Sequence, residues 1–335
     1  MPVARKKIAI VLPVFNDGPS LVELIGQLAV VLRDRVGDVA LVIVDDGSLP
    51  PLAESFHERL KSIFAGFILT LKRNVGHQRA IAIGVAYAVE NKLADTVVIM
   101  DADGEDKPDD VPRLLSAIDD DEPVVVVGER KKRSEDLMFR IFYQLYRLMF
   151  LLLTGHRIGF GNFLALPFAS ARRVANMGEF WLSLPATILR SRVPIIEVPT
   201  ERGKRFHGTS QMNLVCLVVH GLRAMAVFVE NVLTRIILGA LALLLLCIVA
   251  SAIAIIQKFI GIATPGWVTT VVGVSLVILV ATVILCFVSL AISIAGGAQS
   301  IAPPIGAFQA QIDHVTQIGS QSRPPGDIRN AAVAQ

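Results

Sequence analysis

Two carboxylates stand two residues apart in Asp101-Ala102-Asp103, directly after the apolar run Val97–Met100. At the end of a strand such a pair can turn toward one cation. Mg²⁺ and Mn²⁺ take hard oxygen ligands of this kind and share them with phosphate oxygens. A cation held there would neutralise charge developing on a departing diphosphate. Glu105 and Asp106 follow closely, either as further ligands or as solvated side chains. Other polar groups sit where apolar runs end: Asn16-Asp17, Asp45-Asp46 and Lys72-Arg73-Asn74. Two basic clusters come later, Arg130-Lys131-Lys132-Arg133 and Arg202, Lys204, Arg205, the second just ahead of Gly208-Thr209-Ser210. Arginine suits a phosphate because its planar fork donates two parallel hydrogen bonds. Headgroup attraction or plain solvation is the alternative for each cluster, and is the reading preferred for Lys131, Lys132 and Lys204. Glu179 reads as a helix-surface residue, and His77 and His207 as hydrogen-bonding residues. Cys216, Cys247 and Cys286 have neither metal nor disulfide spacing, and there is no Gly-x-x-x-x-Gly-Lys-Ser/Thr loop.

The elements that must position these groups follow from the hydrophobic pattern. Ile8–Val14, Ala40–Val44, Phe67–Leu71, Thr96–Met100 and Val124–Val127 read as strands. Leu21–Leu32 and Gln78–Val89 read as helices between them. Continuously apolar strands alternating with helices predict an α/β fold with a mostly parallel sheet covered on both faces. Ligands of such sheets bind beyond the carboxyl ends of the strands, where the polar clusters fall. The run Ile8–Phe15 is too short for a signal peptide and ends without a cleavage site.

The chain has 335 residues, 53% of them hydrophobic, and a net charge of +3. The mean hydropathy of +0.60 is too high for an ordinary soluble domain. The excess lies late in the chain. No charge falls between Arg235 and Lys258, and none again until Asp313. A membrane span needs roughly 20 apolar residues, so two spans are expected within residues 231–295. Leu137–Thr154 and Met212–Val229 carry apolar stripes interrupted by Arg140, Arg147, His220 and Arg223. They read either as interfacial helices or as helices packed on the globular domain. The tail 296–335, rich in Pro, Gly, Gln and Ala, is expected to be disordered. The expected organisation is a catalytic domain over 1–210 with an interface helix at about 134–154, an amphipathic helix at 211–230, the spans, and the tail. Two spans put both ends of the chain on one side, expected to be the cytoplasmic side of the inner membrane. Nothing points to nucleic acid.

In order and spacing, Leu12-Pro13-Val14-Phe15-Asn16-Asp17, Val44-Asp45-Asp46-Gly47-Ser48, Arg73-Asn74-Val75-Gly76-His77-Gln78, Met100-Asp101-Ala102-Asp103 and Arg202–Ser210 resemble the family 2 glycosyltransferases. Within them the chain is most similar to the polyprenyl-phosphate type, and the resemblance covers residues 8–230 and the two spans. It implies a GT-A, Rossmann-like catalytic domain and inverting transfer of a sugar from a UDP- or GDP-sugar to an undecaprenyl or dolichyl phosphate. It also implies that Pro13, Phe15, Asn16, Asp17, Asp45, Asp46, Arg73 and Gly76 lie along the donor. Asp101 and Asp103, with Glu105, would hold Mg²⁺ or Mn²⁺ and the diphosphate. Arg130, Arg133, Arg202, Arg205 and Ser210 would meet the acceptor phosphate, with Arg130 and Arg205 counted among the catalytic residues.

The match has departures. Asp17 replaces the usual glutamate, Glu105 a frequent glutamine and Gln211 the usual lysine. Gly161-Asn162-Phe163-Leu164 stands where many relatives carry an acidic residue and an arginine, which leaves the sugar open. An acceptor phosphate is already anionic and needs no strong general base, so catalysis would rest on positioning and charge neutralisation. A processive polysaccharide synthase is the next reading, but neither Trp181 nor Trp267 lies in a Gln-x-x-Arg-Trp motif. An inactive nucleotide-binding scaffold and a transporter rank lower. Relatives with two spans pack them together, so a homo-oligomer is compatible with the sequence.

Overall fold

The computed structural model describes residues 6–52, 63–119, 122–130, 137–208, 214–262, 264–298 and 302–319. The chain forms two compact units. One comprises residues 1–144, 158–227 and 301–335, and the other residues 145–157 and 228–300.

The first unit is built on an eight-stranded sheet. Its strands are β1 (Ile8–Val14), β2 (Val39–Asp45), β3 (Ala65–Leu71), β4 (Thr96–Ile99), β5 (Val125–Arg130), β6 (Leu164–Pro167), β7 (Ile195–Thr200) and β8 (Ile312–Ile318). Their spatial order is β7-β5-β6-β4-β1-β2-β3-β8. β1 pairs in parallel with β2 and β4, β2 with β3, and β5 with β7; β6 and β8 run antiparallel to their neighbours. Every residue of β1 and of β2 is buried, because helices cover both faces of a parallel sheet.

Successive strand side chains point to opposite faces, and β1 divides accordingly. Ala9 and Val11 pack with helix α2 (His77–Glu90), while Ile8, Ile10 and Leu12 pack with Leu21, Leu24, Ile25 and Leu28 of α1 (Gly18–Val31). Gly84 marks how closely α2 approaches: a Cβ there would come within 2.5 Å of the Val11 side chain. The remaining helices of this unit are α3 (Val111–Ser116), the first part of α4 (Leu137–Thr154), α5 (Phe168–Ala175), α6 (Leu184–Ser191) and α7 (Leu214–Ala226).

The expectation of a disordered tail over 296–335 is corrected for residues 302–319. They form the short helix α10 (Pro304–Ala307), a turn and β8, which extends the sheet beyond β3. Phe308 is 1% exposed and meets Tyr87 edge-on at 6.2 Å, and Ile318 is fully buried. Burial lifts the Tyr87 phenol to about 12. The backbone N–H and Nζ of Lys72 donate to Gln311 and Ala310, each at 3.0 Å, and the Trp181 indole donates to the Ala302 carbonyl at 2.8 Å. Composition averaged over forty residues hides this. A few apolar anchors and the unpaired edge of β3 suffice to order the segment.

The second unit holds α8 (Val229–Phe259) and α9 (Trp267–Ala298). Both are long and apolar enough to cross a membrane, with mean hydropathies of 3.0 and 3.1. Their most apolar windows are 0% and 6% buried, so neither helix is a core helix of this chain. The two helices pack on each other, and the Ser251 hydroxyl donates to Ser275 at 2.8 Å. At the start of α8, Asn231 and Arg235 donate to the terminal carbonyls of α4, groups that a helix cannot satisfy internally.

Candidate active site

The carboxyl ends of β1, β2 and β4 lie side by side, and each delivers part of the polar cluster. At the end of β2, Asp45 is 1% exposed. Its carboxylate accepts from the Ser48 N–H at 3.0 Å and the Leu52 N–H at 3.4 Å. Asp46 accepts from the Val75 and Gly76 N–H groups at 2.7 and 3.0 Å. Burial pushes the Asp46 carboxyl above its usual range despite these bonds. Both aspartates therefore shape the loops at this end of the sheet. Asn16 does the same after β1: its side-chain oxygen accepts from Leu49 at 2.8 Å, and its N–H donates to the Ser48 hydroxyl at 2.9 Å. Pro13 is buried within β1, whereas Phe15 and Arg73 are exposed beyond the strand ends.

The loop after β4 is held from inside. Asp106, almost fully buried, accepts from the Asp101 N–H at 3.0 Å, and Asp103 accepts from the Glu105 N–H at 3.0 Å. Of the alternatives open for Asp106, a buried support replaces a solvated carboxylate. Residues 202–206, just past β7, run antiparallel along this loop. Asp106 and Arg202 form a bridge, the Gly203 N–H donates to Glu105 at 2.8 Å, and the Phe206 N–H donates to Asp103 at 2.9 Å. Phe206 lies over Gly104, whose φ of +87° and lack of a side chain admit the ring; a Cβ would meet it at 2.5 Å.

Charges pair across this contact. The Arg205 guanidinium lies 3.1 Å from Asp17 and 3.4 Å from Asp103, joining the ends of β1 and β4. Arg202 pairs with Glu105 at 2.6 Å. Glu105, expected as a metal ligand, is thus the partner of Arg202, since its side chain points along the 202–206 segment. His207 lies 3.3 Å from Glu23 of α1. Burial and then the neighbouring Asp101 charge hold the Asp103 carboxyl above its usual range; the Glu105 N–H and Arg205 offset part of this. Two crowded carboxylates in a partly dry site are the donor set that a hard divalent cation fits. Among the described residues no three His, Cys, Asp or Glu side chains converge on one point. Asp101 and Asp103 are the carboxylates here that could contribute to such a donor set.

Several residues of this cluster escaped the sequence reading as site residues. His77, at the first turn of α2, has its Nε2 3.1 Å from Asp101 and 3.1 Å from the Asn162 amide. Desolvation of the packed side of its half-open ring opposes the charged form, but Asp101, with Asp103 and Asp106 beyond, raises the imidazole above its ordinary value. Gln78 donates to Asn162 at 2.9 Å and accepts from the Leu184 N–H at 2.7 Å. In α7, burial and then the His77 and Arg223 charges hold His220 below its ordinary value. Glu179 pairs with Arg190 at 3.0 Å. The backbone of Arg130 ends β5 beside Thr200 of β7, but its side chain, Arg133 and Ser210 lie outside the described residues.

The glycosyl transferase family 2 profile matches residues 9–176, half of the chain. The chain belongs to glycosyl transferase family 2. The matched span holds β1 from Ala9 onward, β2–β6, Asp101, Asp103 and Asn162. Curated family relatives include the undecaprenyl-phosphate 4-deoxy-4-formamido-L-arabinose transferases of Salmonella choleraesuis and Salmonella paratyphi B, each 26% identical over 219 residues. The alignment covers 64% of this chain and 64% of the length of each relative. Among solved structures, glucosyl-3-phosphoglycerate synthase from Mycobacterium tuberculosis with Mn²⁺, UDP-glucose and phosphoglyceric acid superposes with a TM-score of 0.49. The identity is 15%, over 68% of this chain and 80% of that one.

Proposed function

We propose that this family 2 glycosyltransferase moves a sugar from a nucleotide-sugar donor to a polyprenyl phosphate at a membrane surface, inverting the anomeric carbon. The observation that carries the reading is the position of Arg205. Its guanidinium joins Asp17 at the end of β1 to Asp103 at the end of β4. It is the counter-ion of the carboxylates that would face a diphosphate. The curated relatives, named for undecaprenyl-phosphate acceptors, support the same acceptor class.

The donor nucleotide would lie over the ends of β1 and β2, against Phe15, Asn16, Asp17 and the Arg73–Gly76 loop that Asp46 holds in place. Asp101 and Asp103 would hold Mg²⁺ or Mn²⁺, which supplies charge neutralisation for the diphosphate. Asp106 orients Asp101 through its backbone, and Phe206 keeps water from the Gly104 side of the loop. An acceptor phosphate oxygen forms the new bond to the anomeric carbon from the face opposite the diphosphate. The bond to the diphosphate breaks, and the nucleoside diphosphate leaves. Arg205, released from Asp17 and Asp103 as they engage the donor, is the cation for the acceptor phosphate, with Arg130 at the end of β5.

The membrane assignment rests on α8 and α9. The strands before them and β8 after them share one sheet, so the chain must return to the side it left, as a pair of spans does. We assign that side to the cytoplasm. Leu145, Leu148 and Leu152 of α4, and Val218 and Leu222 of α7, are more than half exposed, as helices lying in an interface would be.

The test is transfer by the full chain in detergent. It uses radiolabelled nucleotide sugars, undecaprenyl phosphate and Mg²⁺ or Mn²⁺, with Asp103→Ala as the comparison. Labelled lipid that disappears with EDTA and with the substitution is the expected result. Nucleotide binding with no labelled lipid from any donor would replace this reading with a nucleotide-binding scaffold.

A further inference from the structure

The sheet order sets out the reacting groups along one line. β2, β1, β4, β6, β5 and β7 are consecutive neighbours. The nucleotide end would lie over β2 and β1, the diphosphate carboxylates lie at β4, and Arg130, assigned to the acceptor, ends β5, while Arg205 reaches back from beyond β7 to the ends of β1 and β4. The position between diphosphate and acceptor is β6. Because β6 runs antiparallel to β4, with Leu164 opposite Ile99, it is the start of β6 that faces this line. Continuing the register two residues beyond each partner brings Asn162 beside Asp101.

The geometry points to Asn162 and His77 as the residues that read the donor sugar, an inference that rests on the proposed transfer and names the sugar subsite within it. In a nucleotide sugar the sugar is bonded to the second phosphate, so it must lie on the far side of the diphosphate from the nucleoside. Asn162 and His77 fill that position. His77 is 3.1 Å from Asp101 and its side chain is 46% exposed, so it borders both the carboxylate pair and open space. The Asn162 amide offers its NH₂ as a donor to an oxygen of a sugar hydroxyl or amide substituent.

The pair is also held in place, as a reading site requires. The Leu184 N–H, at the start of α6, fixes the oxygen of Gln78, which is almost fully buried. That leaves the Gln78 NH₂ to donate to the Asn162 oxygen, which turns the Asn162 NH₂ toward His77 and the line of substrate. Gln78 is thus a positioning residue acting through Asn162. A site built to hydrogen-bond a substituent rejects an analogue that cannot pair with it.

The experiment compares binding of nucleoside diphosphates with that of the matching nucleotide sugars. Full-length protein in detergent with Mn²⁺ is titrated calorimetrically with UDP, GDP, UDP-glucose, UDP-N-acetylglucosamine and GDP-mannose. In Asn162→Ala, affinity for the preferred nucleotide sugar falls about tenfold, as expected for a lost hydrogen bond with its partner left unpaired. Affinity for the free nucleoside diphosphate stays within about twofold. Asn162→Asp keeps the shape and the bond from Gln78 but loses the NH₂ donor. It should reorder the sugars, and it serves as the readout if the alanine variant does not fold. Equal losses for nucleoside diphosphate and nucleotide sugar, or no loss for either, would overturn the inference. Failure of the proposed transfer reads differently: sugar-dependent binding would persist with no label reaching the lipid.

Discussion

Phe308 offers the sharpest test of the C-terminal segment. It is 1% exposed and packs edge-on against Tyr87, which meets Phe67 of β3 at 5.4 Å. Replacing a buried phenylalanine by alanine removes its transfer free energy and leaves a cavity, together about 3–5 kcal/mol. In a unit of this size each kcal/mol moves the melting temperature by about 2–4 °C, so Phe308→Ala should melt about 10 °C lower. The assay is thermal unfolding of the full chain in detergent, followed by tryptophan fluorescence, since the Trp181 indole donates to Ala302 of the same segment. The effect should also reach the donor loop. Lys72 is tied to residues 310 and 311, and Arg73 follows it, so nucleotide affinity should fall with stability. A melting temperature within about 1 °C of the parent protein would refute the reasoning and return this segment to the role of a loose tail.

Asp103→Asn should abolish sugar transfer yet leave the ligand-free protein equally or more stable at neutral pH. The Asp103 carboxyl is held above its ordinary value of 3.8, so its favourable contribution is complete below that pH and is lost as pH rises through the raised native value. The stability gain of the asparagine variant should accordingly vanish near pH 3.8, which melting curves across pH would show. Arg205→Gln removes the counter-ion of Asp17 and Asp103. It should tighten Mn²⁺ binding, read by electron paramagnetic resonance, while cutting transfer to the lipid by about 10–100-fold, the scale of a lost charge-assisted bond. Weaker Mn²⁺ binding would contradict the counter-ion role. Gly104→Ala should displace Phe206 and lower transfer more than nucleoside diphosphate binding, since its Cβ would meet the ring at 2.5 Å; unchanged transfer kinetics would count against the 202–206 contact.

The parts of this protein written in consecutive residues were legible in the sequence. β1 is buried on both faces, so its apolar run shows without periodicity analysis, and the carboxylates of Asp101 and Asp103 follow a buried strand within the same short segment. The two long apolar helices are equally local, because a span is set by length and the absence of charge. What tertiary structure decided are the relations between distant segments. His77 and Asn162 stand 85 residues apart and meet only because β6 pairs antiparallel with β4, a strand too short and too ordinary to stand out. Asp17 and Arg205 are separated by 188 residues and meet because residues 202–206, beyond β7, run back along the loop that follows β4. β8 was hidden by the composition around it, since the edge of β3 supplies its hydrogen-bond partners. A sequence records which groups a segment carries; strand register and the burial of a few anchors decide which of those groups share a site.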